Sequence, residues 1–169
     1  FNASPPVWFL LSCAPFAWLS RKPASVLAFV AIVLLGWYSI RDAVYSPYNR
    51  IDLQQSQHRI RLSANRDGHQ EMFNLSDEVL LDKTLSSEVR KKIRDVRIAY
   101  DIPFQINSFR KSALVVGAGT GNDVQAALRN GYEQVHSVDI DEKILELGDT
   151  LHPEKPYDDP RVTPIANDA

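Results

Sequence analysis

Length, composition and cysteine count limit what this chain can be. Its 169 residues include 44% hydrophobic residues and carry a net charge of -2 at pH 7, which suffices for one domain with a buried core. Cys13 is the only cysteine, which excludes a disulfide framework and a thiolate metal site. The four histidines show no metal-ligand spacing, so we expect no metal, and we place all four at surface or strand positions: His58, His69, His136 and His152.

The charges are unevenly distributed along the chain. Residues 1–40 hold only two charged side chains, residues 41–111 hold 13 basic and 10 acidic ones, and residues 112–169 hold 4 basic and 11 acidic ones. We therefore predict four regions: a membrane portion at 1–40, a small β-strand domain at 41–75, a connecting helical region at 76–111 and a cofactor-binding domain at 112–169.

Two apolar runs, Pro6–Leu19 and Ala24–Ile40, fill the N-terminal region. The second is uncharged over about sixteen residues, close to the roughly twenty that cross a bilayer, and Trp37 and Tyr38 resemble an interfacial belt. We predict transmembrane helices that end a larger membrane portion, with the lipid bilayer as a partner. A buried soluble helix is the alternative, and we reject a signal peptide because the chain has no starting Met, basic leader or cleavage site.

The middle of the chain has the pattern of a small antiparallel sheet followed by one helix. Residues 45–54 and 58–63 alternate polar and apolar side chains, and the Asp67-Gly68 pair is a hairpin signal before a third strand at 69–73. Ser87 to Tyr100 has one apolar stripe, which predicts an amphipathic helix that Asp101-Ile-Pro103 ends. Its basic residues lack interleaved aromatics, so we interpret them as a solvated face and expect no nucleic-acid partner.

The most informative stretch, residues 112–123, reads SALVVGAGTGND. Its apolar start predicts a buried parallel strand, and apolar residues at helical spacing after it predict a helix. The glycines between fall as G-x-G-x-G, whereas the dinucleotide fingerprint is G-x-G-x-x-G. This loop is typical of a nucleotide-cofactor site at a helix N-terminus, and a purely structural glycine turn is the alternative.

A second predicted strand, Gln134 to Asp139, ends in an acid about twenty residues past the central glycine. A carboxylate at such a strand end can accept both hydroxyls of a ribose. The helix after it begins with Asp141 and Glu142, whose position is explained by the helix dipole. The offset from the loop makes Asp139 the candidate ribose ligand.

Four features together resemble the spermidine synthase family, the aminopropyltransferases. They are the glycine loop, Val-Asp-Ile-Asp at 138–141, Asp-Asp-Pro-Arg-Val at 158–162 and Asn-Asp-Ala at 167–169. The resemblance implies a Rossmann-like, methyltransferase-type domain that transfers an aminopropyl group from decarboxylated S-adenosylmethionine to a polyamine. The order of segments is similar to that of a membrane-anchored branch of the family.

The resemblance also implies roles for particular residues. Asp139 would hold the ribose and Asp168 would meet the adenine amino group. Tyr48 and Gln70, in the small sheet, would face the polyamine substrate, with ordinary sheet packing as the alternative. The implied cofactor-binding residues are Gly117, Ala118, Gly119, Thr120, Gly121, Asp123, Asp139, Ile140, Asn167 and Asp168.

Two departures from the family pattern bear on the reaction. Typical members carry an Asp in the glycine loop that binds the aminopropyl amine, and this chain has Thr120 there. Asp123, three residues later, either substitutes for that Asp or caps the helix. The family's catalytic acid lies on a later strand, so we name no catalytic residue, expect it downstream of Ala169 and expect this segment alone to be inactive.

The resulting fold prediction is α/β: a partial Rossmann-like parallel sheet, preceded by a small antiparallel β region and N-terminal transmembrane helices. A methyltransferase that uses S-adenosylmethionine remains an alternative, as does a non-catalytic, nucleoside-sensing domain of a membrane protein. We expect a protein of the bacterial inner membrane whose cofactor domain faces the cytoplasm, where adenosyl metabolites occur. A homodimer is the expected assembly.

Overall fold

A computed structural model describes residues 5–20, 22–40, 43–56 and 59–168. The helices are α1 Pro5–Ser20, α2 Pro23–Ile40, α3 Asp77–Leu81, α4 Ser87–Gln105, α5 Asn122–Arg129 and α6 Glu142–Leu151. The strands are β1 Ala43–Tyr45, β2 Arg50–Gln55, β3 Arg59–Ala64, β4 Asp67–Phe73, β5 Ser112–Val116, β6 Gln134–Asp139 and β7 Val162–Ala166. A short 3-10 helix spans Pro156–Asp158.

The chain divides into two compact units, one of residues 1–52 and 64–67 and one of residues 53–63 and 68–169. Strands β1 to β4 form a four-stranded sheet in sequence order, with β1 and β2 antiparallel. Strands β5, β6 and β7 form a parallel sheet in that order, and α5 and α6 connect them in a βαβαβ arrangement. The chain is thus mixed α/β, with a parallel and an antiparallel sheet.

The prediction of transmembrane helices at residues 1–40 is wrong. Within the described ranges, no helix combines the length and apolar character that crossing a membrane requires. Helix α1 has 16 residues with Pro15 inside it, and α2 has 18 residues. At a rise of about 1.5 Å per residue they extend about 24 and 27 Å, less than the roughly 30 Å of a hydrocarbon core.

The small β region differs from its prediction in two turns. The predicted single strand 45–54 is interrupted by a turn between the end of β1 and the start of β2. In this turn Ser46 Oγ accepts the backbone N–H groups of Tyr48 and Asn49 at 3.2 and 2.9 Å, and the chain reverses direction. In the β3–β4 hairpin the turn residues are Asn65 and Arg66, whose φ angles are 53° and 74°. The turn therefore precedes the Asp-Gly pair, since Asn also tolerates the left-handed region.

Helix α4 continues past its predicted end, through Pro103 to Gln105. Proline removes one helical hydrogen bond, and tertiary contacts on both sides of it compensate. Asp101 accepts hydrogen bonds from Arg129, at 2.9 Å from Nη2, and the Phe104 ring lies edge-on to Tyr132 at 5.8 Å between centroids. Phe104 thereby packs against the core of the parallel sheet.

That core explains why the parallel sheet holds the loop after β5 in place. Apolar residues of β5, β6 and β7 pack against one face of α5 and one residue of α6. Strands β5 and β6 pair over five residues, which places Val116 opposite Val138, so the two strands end side by side. The core residues are Val115, Ala118, Val124, Ala127, Leu128, Tyr132, Val135, Leu145, Tyr157 and Val162.

Candidate functional site

The glycine loop, residues 117–121, joins β5 to α5 at the carboxyl end of the parallel sheet. Its three glycines have φ angles of 68°, 55° and 105°, a region that side chains make unfavourable. A Cβ at Gly119 would overlap the Gln70 carboxamide, and a Cβ at Gly121 would lie 2.6 Å from Pro156 Cγ. At Gly121 the Pro156 ring leaves no room for a side chain, whereas at Gly119 the flexible Gln70 carboxamide could move and the positive φ angle is what favours glycine.

Asp139, the last residue of β6, is bound directly to this loop. Its Oδ2 accepts the N–H of Gly119 at 2.8 Å, and its Oδ1 accepts the N–H of Asp141 at 2.9 Å. A carboxylate can accept about four hydrogen bonds, so each oxygen keeps capacity for one more donor. Asp139 is buried, with 9% of its surface exposed, and ends β6 beside the loop.

The predicted residues after β6 and β7 lie at the same edge of the sheet. The N–H of Asn167 donates to the carbonyl oxygen of Asp139 at 3.0 Å, and the N–H of Asp168 donates to Asn167 Oδ1 at 3.0 Å. Ile140 is 49% exposed, and both Asn167 and Asp168 are exposed. The structure therefore brings Asp139 and Asn167 together and leaves the Asp168 side chain accessible.

A cavity of about 580 Å³ adjoins the glycine loop. Thr120 donates to Gln70 Oε1 from both its backbone N–H, at 2.9 Å, and its hydroxyl, at 3.1 Å. These bonds bring strand β4 and the loop together at the cavity wall. The lining residues are Arg61, Gly68, His69, Gln70, Glu71, Phe73, Tyr100, Gly117, Ala118, Thr120, Gly121, Asn122 and Asp123.

Asp123 is the second residue of α5 and is not its capping residue, since Gly121 occupies that position without a side chain. Its carboxylate is half-buried in the cavity wall. Burial raises the pKa of Asp123 above its usual range. Of the two interpretations drawn from the sequence, N-terminal capping is wrong, because Gly121 is the N-cap, and the ligand contact stays a prediction.

Asn122 was not among the predicted site residues, yet it connects several parts of the site. Its Oδ1 accepts the N–H of Phe73 at 3.2 Å, and its Nδ2 donates to the carbonyl oxygen of Glu71 at 2.6 Å and to Tyr100 Oη at 3.1 Å. The amide therefore joins the start of α5 to strand β4 and helix α4. The available sequence signal was its place directly after the third glycine.

His152 is the second residue that the sequence did not single out, and its predicted surface position is wrong. Only 1% of it is exposed, and its Nε2 donates to Asn122 Oδ1 at 3.1 Å while its Nδ1 accepts the N–H of Glu154 at 3.1 Å. This arrangement requires the neutral ring. Burial, with the nearby charges of Arg129 and Lys155, lowers the pKa of His152 to about 4.

The other predicted histidine positions are less consequential. His69 and His136 are exposed strand residues, and His58 lies outside the described residues.

Tyr48, the second candidate substrate residue, is 53% exposed in the turn between β1 and β2 and does not line the cavity. In the described part of the chain, no group of three or more His, Cys, Asp or Glu residues is arranged to hold a metal ion.

Tyr157, in the proline-rich segment before β7, bonds to the glycine loop and is not among the residues that line the cavity. Its hydroxyl donates to the carbonyl oxygen of Gly119 at 2.7 Å, and its ring contacts the positions of Gly121 and Gly148. Burial, with the nearby carboxylate of Asp139, raises the pKa of Tyr157 well above its usual range. The phenol therefore remains a neutral hydrogen-bond donor to the loop.

A glutamate in the same segment anchors it to the surrounding helices. Glu154 Oε1 accepts the N–H of Leu75 at 2.7 Å, and its Oε2 accepts bonds from Gln125 and Arg129. Arg129 is bound in turn by Asp101 of α4. These largely buried ion pairs connect segment 152–157 to α5 and α4.

Comparison with known proteins gives matches at the level of structure. No model of a protein family matches the chain, and no curated protein matches it in sequence. The spermidine synthase of Thermotoga maritima matches with a TM-score of 0.52 at 14% identity, over 75% of this chain and 41% of that one. A spermidine synthase in complex with the transition state analogue AdoDATO matches with a TM-score of 0.52 at 15% identity, over 75% of this chain and 40% of that one.

A probable spermidine synthase from Corynebacterium glutamicum ATCC 13032 also matches, with a TM-score of 0.48 at 15% identity, over 75% of this chain and 44% of that one. The chain spans about two fifths of the length of the spermidine synthases that it matches. Identities this low establish the fold alone. The chain has a spermidine-synthase-like, Rossmann-type methyltransferase fold.

Proposed function

We propose that this chain is a spermidine-synthase-like transferase domain that binds decarboxylated S-adenosylmethionine, or a related adenosyl cofactor, and serves aminopropyl transfer to a polyamine. The observation that carries the proposal is the bond between the Gly119 N–H and Asp139 Oδ2. It places a side-chain-free loop and a carboxylate with spare acceptor capacity next to each other at the carboxyl end of a parallel sheet. Ligands of open α/β sheets bind at that end.

The chain's own residues suit an adenosyl cofactor better than a dinucleotide. Asp139 can accept the two ribose hydroxyls, as an acid at this strand end does in related folds. The exposed Ile140 offers an apolar surface for a base, and the backbone beyond it is held by the bond from Asn167 to Asp139. The match to a spermidine synthase that binds AdoDATO supports an adenosyl ligand of this kind.

In such a transferase the protein's main contribution is alignment of two reactants. The cofactor supplies a sulfonium-activated carbon for attack by an amine. The glycine loop and Asp139 would fix the nucleoside, and the cavity that adjoins the loop would receive the amine. We assign no general base to the described residues and keep the expectation that the catalytic acid follows Ala169.

A methyltransferase is the second candidate, and Thr120 favours it. The position in the loop where the aminopropyltransferase resemblance calls for Asp carries a neutral hydroxyl, which is bound to Gln70. A neutral group there does not repel the carboxylate of intact S-adenosylmethionine. The two candidates therefore differ in which form of the cofactor binds more tightly.

Calorimetric titration of the chain with decarboxylated S-adenosylmethionine, S-adenosylmethionine and NAD tests the proposal. We expect the decarboxylated form to bind most tightly. Tighter binding of S-adenosylmethionine would assign the domain to methyl transfer, and tighter binding of NAD would overturn the interpretation of the glycine spacing. Absence of binding by all three would favour a domain that has kept the fold without the chemistry.

A matched pair of variants locates the binding site. Asp139→Asn removes the charge while keeping an acceptor for one N–H, and we expect it to weaken adenosyl binding by about tenfold or more, since hydrogen bonds to charged groups contribute about 1.5–3 kcal/mol. Glu133→Gln makes the same chemical change at an exposed position and should leave affinity unchanged. Equal affinities of both variants would remove Asp139 from the site.

A further inference from the structure

A second cavity, of about 840 Å³, forms a groove along helix α4, here called the α4 groove. It shares Glu71 and Phe73 with the cavity beside the glycine loop, but none of residues 117–121 lines it. Most of its apolar lining is only half-buried, so covering the groove would remove further apolar surface from water and stabilise an assembly. The apolar lining residues are Phe73, Leu75, Val89, Ile93 and Val96.

Helix α4 holds its side of the groove in a fixed conformation. Ser86 caps the helix, since its Oγ accepts the N–H of Val89 at 3.2 Å. Toward the other end, Asp101 is paired with Arg129 of α5 at 2.9 Å. A preformed helix loses little conformational freedom when a partner binds, which makes it a suitable interface element.

The apolar stripe of α4 is complementary to itself. Val89, Ile93 and Val96 are spaced by four and three residues, the spacing of an apolar seam between two helices. If two such helices pair antiparallel with Ile93 at the centre, Val89 of each copy lies beside Val96 of the other. The stripe therefore meets the requirement of a two-fold interface, in which the same patch is used by both copies.

A row of exposed residues beside this stripe is self-complementary in nearly the same register. Its members are Glu88, Lys92, Asp95 and Ala99, whose spacings of four, three and four residues place them on one face of α4. Lys92 and Asp95 also line the groove. In the antiparallel pair Lys92 of each copy faces Asp95 of the other, and Glu88 faces the small Ala99. Opposite charges thus meet twice, and within this row no like charges are opposed.

We propose that a second copy of this chain covers the α4 groove, with the two α4 helices antiparallel and Lys92 of each copy facing Asp95 of the other. The order of the charges favours this occupant. A partner helix with charges of one sign would attract one of these two residues and repel the other. The proposal gives a surface to the homodimer expected from the sequence, and it does not depend on the proposed function.

Sedimentation velocity of the 169-residue chain over a range of concentrations tests the interface. Lys92→Glu and Asp95→Lys each place like charges opposite one another at both symmetric positions. Lys91→Glu is the matched control, because it makes the same change at an exposed residue of α4 that does not line the groove. Thermal unfolding of each variant establishes that it is folded.

We expect each of the two groove variants to weaken self-association by about tenfold, and Lys91→Glu to leave it unchanged. An equimolar mixture of Lys92→Glu and Asp95→Lys should associate again, because each introduced charge then faces an opposite charge in the other chain. Lys92 also pairs with Glu88 of its own helix at 3.0 Å, but mixing cannot restore a contact within one chain.

Three results would overturn the proposal. An unsubstituted chain that stays monomeric would leave the groove to a different partner. Self-association that neither groove variant weakens, or that Lys91→Glu weakens equally, would place the contact elsewhere. A mixture of the two groove variants that associates no better than either alone would show that Lys92 and Asp95 do not face each other between copies.

Discussion

The glycine loop has two faces with different surroundings. One, here called the fixed face, packs against Pro156 and Tyr157. His152 of the same segment, 152–157, bonds to Asn122 directly after the loop, and all three residues are buried. The other, the cavity face, lies toward Gln70 and Asp123, which are half-buried around about 580 Å³ of open space. Both faces bind the loop through hydrogen bonds, but Pro156 and Tyr157 are not among the residues that line this cavity.

The difference shows how one loop can be rigid and still be accessible. Tyr157 donates to the Gly119 carbonyl oxygen, while Gln70, in the cavity lining, accepts the backbone N–H of Thr120. Loss of a buried partner costs the full desolvation of the group left behind, whereas a group at an open cavity is rehydrated. Substitutions on the fixed face should therefore alter folding, and those on the cavity face should alter binding.

The largest expected effect on the fixed face is the pH dependence caused by His152. Its pKa of about 4 in the folded chain lies below the ordinary value of 6.5, so the folded state binds fewer protons than the unfolded state between these values. Its stabilising contribution is complete above pH 6.5 and is lost as the pH falls toward 4. The total loss is about 3 kcal/mol.

Urea unfolding at several pH values between 7.5 and 4 measures this effect in the unsubstituted chain and in His152→Gln. The variant carries no titrating ring, so the difference in free energy of unfolding between the two should shrink as the pH falls. His136→Gln, on an exposed strand position, should change the pH dependence little. Parallel curves for the chain and His152→Gln would show that His152 does not titrate in this window.

The second effect comes from Gly148 of α6, which lies against the loop from the fixed face. A Cβ there would lie 2.6 Å from the Thr120 carbonyl oxygen and 2.7 Å from Tyr157 Cε2. Overpacking costs about 1–3 kcal/mol, and the better helix propensity of alanine returns at most about 1 kcal/mol. We expect Gly148→Ala to lower the free energy of unfolding by about 2 kcal/mol and to weaken adenosyl binding.

Gly68→Ala is the matched control for Gly148→Ala, because a Cβ at Gly68 meets no atom within 4 Å. It should change the free energy of unfolding by less than about 0.5 kcal/mol. Chemical denaturation of both variants makes the comparison. If Gly148→Ala were as stable as Gly68→Ala, α6 and the loop could move apart without cost. That result would contradict the tight packing proposed for the fixed face.

The distinction between the faces also explains how far sequence reasoning reached. The parallel strands, the G-x-G-x-G loop and the acid at the end of β6 are local signals, and they were predicted with the fold that the comparisons support. The hydrogen bonds of His152, Tyr157 and Asn122 join residues that are 30 to 49 positions apart in the sequence, so no local sequence pattern predicts them. A histidine without ligand spacing looks the same in sequence whether it is exposed or buried.

The errors elsewhere in the chain have similar physical origins. Pro103 is a helix-ending signal, yet contacts of Asp101 and Phe104 with distant residues hold the helix beyond it. For residues 1–40, apolar composition alone suggested a membrane span, and the helices of the described ranges do not meet the requirements for one. The predicted location at the bacterial inner membrane, the cytoplasmic orientation and the homodimer stay predictions.

A smaller effect on the fixed face is expected from Tyr157→Phe. It removes the hydroxyl that donates to the Gly119 carbonyl oxygen at 2.7 Å and keeps the ring that packs against the loop. Net contributions of such hydrogen bonds are about 1 kcal/mol, so we expect the free energy of unfolding to fall by about that amount. Tyr48→Phe changes an exposed tyrosine and is the control. Its free energy of unfolding should differ from that of the unsubstituted chain by less than about 0.5 kcal/mol in the same denaturation experiment.

The smallest effect on stability is expected on the cavity face, from Gln70→Ala. The backbone N–H and hydroxyl of Thr120 lose their acceptor, but both groups then face an open cavity where water can replace it, so the free energy of unfolding should change by less than about 0.5 kcal/mol. Calorimetry should nevertheless show weaker binding of 1,4-diaminobutane, by about threefold, because Gln70 lines the same cavity as Asp123 and its carbonyl oxygen can accept an ammonium N–H. Gln54→Ala, at an exposed position of β2, should change neither quantity. If Gln70→Ala destabilised the chain as much as Tyr157→Phe and left diamine binding intact, the two faces of the loop would not differ in function.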